Sequence, residues 1–305
     1  MMKITTPIRF AFLLSCLAAL SACGGGGGGT AVASAPVVTP PAVAPVLPWQ
    51  APNTTVSYSV DSASATVAST VVTGTRLDAA ASGGTVTVTI NSVGAISIVT
   101  FDVATPGARF TNSYSNITSL PTLSLSQLTA LLLAVNTTPG GNGFVAQGPR
   151  GLSYSGYGVW ATNDTGTTGR IGALGIGTQT PVASVPTTGS ATYVGTTIGA
   201  GANASGPFAL TGSVQIGVNF ANGAVSTSIT GVQQQNIATN VVSAGPSLSG
   251  TGTVSGNRLS STLAGGGTTG GVVGSFYGPA AQEVAGAWRT FGGGYTALGG
   301  FGAKR

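Results

Sequence analysis

Gly274-Ser275-Phe276-Tyr277-Gly278-Pro279-Ala280-Ala281-Gln282-Glu283-Val284-Ala285-Gly286-Ala287-Trp288 is the stretch that decides the fold. Tyr277-Gly278-Pro279 ends a strand and starts a turn, because proline fixes φ and lacks a donor while glycine permits a bend. Phe276 and Trp288 then fall on neighbouring strands, where they fill a barrel interior or cover its end. Glu283 is one of only five acidic residues. With no histidine in the chain and no second carboxylate near it in sequence, it is expected to accept backbone donors in the turn rather than to do chemistry.

Outward from this turn, strand signals recur. Gly271–Gly278, Val284–Phe291 and Gly294–Gly302 surround it. Upstream, Gly256-Asn257 separates Gly250–Ser255 from Arg258–Leu263. Ser213–Ala221 alternates through Val214, Ile216, Val218 and Phe220, and Asn222-Gly223 signals a type I′ turn into Ala224–Ile229. Leu152–Thr162 carries Tyr154, Tyr157 and Trp160, and Ala191–Thr197 carries Tyr193. Eight to ten short strands suit a closed antiparallel barrel or a sandwich, and the many strand glycines favour a small, tightly curved barrel.

Pro139-Gly140-Gly141-Asn142-Gly143 breaks the chain before these strands. Before the break, Thr54–Val60, Gly84–Asn91 and Ala95–Asp102 read as strands, the last two as a hairpin. Ser124–Val135 reads as the one helix, capped by Ser124, with Leu125, Leu128 and Leu132 on one face. The organisation expected is a leader over 1–22, a Gly/Pro-rich tether over 23–52, a β-rich domain with one helix over 53–138, and the barrel over 143–305.

Composition narrows function. Of 305 residues 50 are glycine, 5% are charged and none is histidine. Without histidine, no histidine base, metal ligand or pH switch exists. There is no Gly-x-Ser-x-Gly elbow and no Walker spacing, and Gly265, Gly267 and Gly270 sit in a strand-turn context that does not suit a dinucleotide. An enzyme is not expected, nor a cofactor, nor a metal site, since Asp61, Asp78, Asp102, Asp164 and Glu283 are far apart in sequence. The net charge of +5 is scattered, so no nucleic-acid surface is expected. Haem ligation would fall to Tyr154, Tyr157 or Tyr193, whose first reading is simple barrel packing.

Lys3 and Arg9 precede the apolar run Phe10–Leu20, which is too short for a span of about 20 residues and fits a secretory leader. It ends in Leu20-Ser21-Ala22-Cys23, which resembles the bacterial lipoprotein box. The resemblance implies cleavage before Cys23 and acylation of its thiol and amine, giving a membrane anchor. Gly24 after Cys23 implies, by the same resemblance, release from inner-membrane retention to the outer membrane. Cys16 leaves with the leader, so no disulfide is expected within the exported chain. A membrane-spanning barrel is disfavoured by the lipobox, the lack of aromatic girdles and the charged end Lys304-Arg305.

The run from Gly274 to Trp288 also resembles the late signature of the transferrin-binding-protein-type β-barrel, through Gly274, Phe276, Tyr277, Gly278, Pro279, Glu283, Val284, Gly286 and Trp288. The finish Phe301-Gly302-Ala303-Lys304-Arg305 and the strand Gly189-Ser190-Ala191-Thr192-Tyr193-Val194-Gly195 are similar to further family motifs. The resemblance implies a mainly β fold: an antiparallel closed barrel of about eight strands, preceded by a small β-rich handle-like domain with one helix. It also implies a lipid-anchored outer-membrane binding protein, displayed at the cell surface with the help of a lipoprotein export factor. Such a protein captures an extracellular protein or small solute through barrel loops. A structural or adhesive surface lipoprotein is the alternative. No family ligand residues transfer, because this chain is almost free of the Lys and Glu common in pathogen members.

Overall fold

The computed structural model describes residues 53, 55–68, 71–79, 83–90, 92, 96–105, 108–114, 118–120, 124–137, 142–147 and 152–305. The lipobox residues Leu20, Ser21, Ala22 and Cys23, and the tether, lie outside the described residues.

Seven strands and a helix come first: β1 (Thr55–Ser59), β2 (Asp61–Ala68), β3 (Val71–Asp78), β4 (Gly84–Ile90), β5 (Ile96–Thr105), β6 (Ala108–Tyr114), β7 (Thr118–Leu120) and α1 (Leu125–Thr137). Then follow β8 (Asn142–Gln147), β9 (Ser155–Asn163), β10 (Thr168–Gly177), β11 (Ser190–Asn203), β12 (Gly206–Asn219), β13 (Ala224–Asn236) and β14 (Val242–Ala244). The last five are β15 (Leu248–Ser255), β16 (Arg258–Gly265), β17 (Thr268–Tyr277), β18 (Glu283–Gly292) and β19 (Tyr295–Lys304).

They form three sheets. One has the order β1-β4-β5-β6, and its β4-β5 pair is the expected hairpin. A second has the order β3-β2-β10-β9-β8-β7. The third runs β12-β11-β19-β18-β17-β16-β15-β13 and closes by pairing β12 with β13, with the short β14 flanking β13. This is the expected antiparallel closed barrel of eight strands. Sheet membership changes at Ser190, not at residue 143. β9 and β10, which hold Tyr157 and Trp160, pair with each other and with β2 in the six-stranded sheet. Sequence reasoning grouped Leu152–Thr162 with the barrel because strand signals do not name partners.

Three apolar cores separate the layers. Inside the barrel pack Tyr193, Leu210, Ile216, Ile229, Phe276, Trp288 and Phe301. Between the four-stranded sheet and β9-β10 pack Val86, Phe101, Val103, Trp160 and Leu174. Between the six-stranded sheet, α1 and the barrel's outer wall pack Tyr157, Ala173, Leu128, Leu132, Ile198 and Leu298. β9 and β10 are therefore covered on both faces, whereas β16 alternates buried and exposed residues. Helix α1 opens with a capping box: Gln127 N donates to Ser124 Oγ at 3.2 Å, and Ser124 N donates to Gln127 Oε1 at 2.9 Å.

Backbones approach closely where the six-stranded sheet meets the barrel. A methyl group on Gly175 of β10 would lie 2.4 Å from the nitrogen of Gly286 on β18. Glycine is the residue that lets two sheets touch this closely.

Asn222-Gly223 does not form the expected two-residue type I′ turn. The strands end at Asn219 and resume at Ala224, and of the pair only Gly223 has positive φ. Phe220 stays buried against the barrel core, so the chain turns over four residues. Asn219 and Asn222 side chains accept Ala221 N at 3.0 Å and Ala224 N at 2.9 Å.

Candidate functional site

The signature turn lies at one end of the barrel and works as a clamp. Gly278 takes positive φ, and the buried Glu283 begins β18. Its carboxylate accepts the backbone N–H of Ser153, of Tyr154 at 2.9 Å and of Ser155 at 3.0 Å, and the Ser155 hydroxyl at 2.8 Å. Four donors from residues 153–155 thus occupy this carboxylate. Phe276 meets Tyr193 and Phe220 inside the barrel, with centroids 6.0 and 5.7 Å away. Trp288 Nε1 donates to Thr197 Oγ1 at 2.7 Å, and that hydroxyl donates to Gly300 O at 2.7 Å. Val284 and Gly286 are buried in the same strand.

Tyr277 faces out of the barrel toward Asp61 of β2. Burial, reinforced by the Asp61 charge, holds its phenol protonated far above the ordinary range. Ser275 Oγ donates to Asp61 Oδ2 at 2.7 Å and accepts Gln179 Nε2 at 3.1 Å. These groups join the barrel to the six-stranded sheet. Among the tyrosines weighed as haem ligands, Tyr157 shares a hydrogen bond with Thr196. The Tyr193 hydroxyl donates to Ala281 O at 2.7 Å, and burial pushes its pKa up to about 12. Both serve packing.

The opposite end carries the turn at 203–206, the loop around 236–247 and the turns at 265–268 and 292–295. A recess of about 310 Å³ opens there, lined by Asn203, Ser205, Phe208, Gln234, Asn236 and Val241, among others. Phe208 and the Tyr295 ring stack beneath it at 5.4 Å, and Gln234 Nε2 donates to Tyr295 Oη at 2.5 Å. Asn236 holds the rim: its amide donates to Ser205 O at 2.6 Å, and its oxygen accepts Ala238 N and Thr239 N, each at 2.9 Å. Val241 and Val242 stand 63% and 53% exposed beside this recess. A smaller apolar crevice of about 70 Å³ lies nearby, between Val67, Val72, Ile171, Leu132, Pro207 and Ile237.

No Asp, Glu, Lys or Arg occurs between Arg170 and Arg258, so every residue of β11 to β15 is uncharged. The loop end therefore offers amides, hydroxyls and aliphatic surface. Sequence reasoning missed it because Gln233-Gln234-Gln235-Asn236 has no apolar alternation and Val241-Val242 is too short a run. Among the described residues no group of three His, Cys, Asp or Glu side chains could hold a metal, and no helix is long and apolar enough to cross a membrane.

Residues 185–305, from just before β11 to the last residue of the chain, match the sequence model of a family described as the C-lobe and N-lobe beta barrels of Tf-binding protein B. The barrel is thus similar to the transferrin-binding-protein B barrels. Similar solved structures include transferrin-binding protein B of Haemophilus parasuis Hp5, with 18% identity over 50% of this chain and 33% of that one, TM-score 0.38. HpuA of Kingella denitrificans, solved in complex with human haemoglobin, has 19% identity over 86% of this chain and 90% of that one, TM-score 0.43. Transferrin-binding protein B from serogroup B Neisseria meningitidis has 16% identity over 81% and 43%, TM-score 0.40. The chain spans less than half the length of both transferrin-binding proteins. A search of curated proteins gave no match. Gly274 to Trp288 lie within the matched residues and span the end of β17, the clamp turn and the first part of β18.

Proposed function

We propose that this chain is a lipid-anchored outer-membrane protein, displayed at the cell surface, that captures a macromolecular or small-solute ligand through the loop end of its barrel. Cys23 is the lipid attachment point, and a lipoprotein export factor assists display. The barrel's family supports this reading. The observation that carries it is the exposed Val241-Val242 pair beside an uncharged recess at the loop end. Apolar side chains at the rim of a polar cavity suit capture of a partner. The protein acts by binding and not by conversion: the chain has no histidine, and Glu283 is saturated by donors.

Protease shaving of intact cells tests display, and capture of extracellular ligands by the full chain tests binding. Val241→Asp and Val242→Asp should abolish capture while the protein still folds. Capture that survives both changes removes the loop end as the site. A folded, displayed protein that captures nothing favours the structural or adhesive alternative.

A further inference from the structure

The barrel wall turned away from the six-stranded sheet has a chemistry unlike the loop end. On β12, β13 and β15 the inward residues, Val214, Ile216, Val225, Thr227, Ile229 and Leu248, are buried. The outward ones are Gln215, Gly217, Ser226, Ser228, Ser249 and Thr251, and together they line a groove of about 370 Å³. Strand register sets them in two rows across the sheet. Gln215 faces Ser228, which faces Ser249; Gly217 faces Ser226, which faces Thr251. Neighbouring rows repeat at about 4.8 Å between strands and about 6.8 Å along them.

Three classes of partner can be set aside on this chemistry. A polyanion finds no cation, since the whole wall lies in the uncharged span between Arg170 and Arg258. A cationic partner finds no carboxylate there. An apolar partner finds a single exposed large hydrophobic residue at the groove's edge, Val194, set beside Gln215 across β11 and β12; Val182, Val241, Val242 and Phe291 do not line it. What remains is a dense array of groups that both donate and accept, matched by a ligand whose own hydroxyls do the same. The geometry points to a neutral polysaccharide as the occupant of this groove. Each contact competes with water and is weak, so a chain with many sugar units is favoured over a single sugar.

The site is separate from the loop end, so the two stand or fall independently. Affinity electrophoresis of the full exported chain in mild detergent, through gels containing dextran, mannan or a neutral β-glucan, tests it. At least one neutral polymer should retard the protein, and heparin should not. The double substitution Ser228→Glu with Thr251→Glu places two carboxylates in the groove without touching the core. It should reduce retardation about fivefold or more with an unchanged melting temperature, whereas Val241→Asp should leave retardation unaltered. Absence of retardation by all three polymers, equal retardation of the double variant, or stronger retardation by heparin would each overturn the assignment.

Discussion

Ser155 gives both its backbone N–H, at 3.0 Å, and its hydroxyl, at 2.8 Å, to one carboxylate oxygen of Glu283. The two residues are 128 positions apart. The contact joins the start of β9, in the six-stranded sheet, to the start of β18, in the barrel. A motif that looks local in sequence thus holds two sheets together.

Glu283→Gln should be strongly destabilising. The amide replaces one acceptor oxygen by a donor facing backbone N–H groups, and hydrogen bonds to a charged acceptor contribute about 1.5–3 kcal/mol each. A loss of about 3 kcal/mol is expected, equivalent to roughly 6–12 °C in melting temperature for a protein of this size. Thermal unfolding followed by circular dichroism checks this, and an unchanged midpoint rejects the clamp.

Ser275→Ala should cost about 1–3 kcal/mol, because it strips a hydrogen bond from the fully buried Asp61 and an acceptor from Gln179. Urea unfolding should show a lower midpoint with the slope unchanged. A neutral result would mean that other partners suffice for Asp61.

Gly175→Ala tests the close approach of the two sheets. Its φ is not in the left-handed region, so the effect is purely steric: the new methyl meets Gly286 backbone. Overpacking of this kind costs about 1–3 kcal/mol or more. Hydrogen exchange should rise in β10 and β18 together. Wild-type stability would show that the sheets can separate without loss.

Alkaline unfolding should follow from the buried tyrosines. Burial raises the Tyr193 pKa from the ordinary 10.0 to about 12 and raises Tyr58, Tyr277 and Tyr295 as well. A phenol with a raised folded-state pKa keeps its full stabilisation below the unfolded value and loses it as pH climbs toward the folded one. Stability should be level below about pH 10 and fall between about 10 and 12. Phenolate absorbance from these residues should appear together with unfolding; phenolate forming in the folded protein would contradict the burial.

Cys23→Ser should abolish incorporation of labelled palmitate and release the chain from the membrane fraction. Labelling that persists in the variant places the lipid elsewhere.

How much was legible follows from what each strand faces. β12 and β13 alternate because one face is core and the other is solvent, so Val214, Ile216, Val225 and Ile229 mark them in sequence. β2 and β10 do not alternate. Asp61-Ser62-Ala63-Ser64-Ala65 is buried at every position, between one sheet and the barrel. Small and polar residues there look like a loop in sequence, because periodicity vanishes when both faces are covered. The loop end was illegible for a different reason: Asn203, Gln234 and Asn236 have no spacing signature, and the fold alone gathers them.

By itself the sequence determined that the chain is mainly β, carries one capped helix, lacks histidine chemistry and resembles transferrin-binding-protein-type barrels over Gly274 to Trp288. Alternation, turn residues and composition are local properties, so they can be read along the chain. Only the tertiary structure decided that β9 and β10 leave the barrel for the six-stranded sheet, that Glu283 clamps residues 153–155, and that an uncharged recess lies at the loop end. Those outcomes depend on which surfaces meet after folding, and burial of apolar area is non-directional until backbone pairing and close approach at residues such as Gly175 and Gly286 select one arrangement.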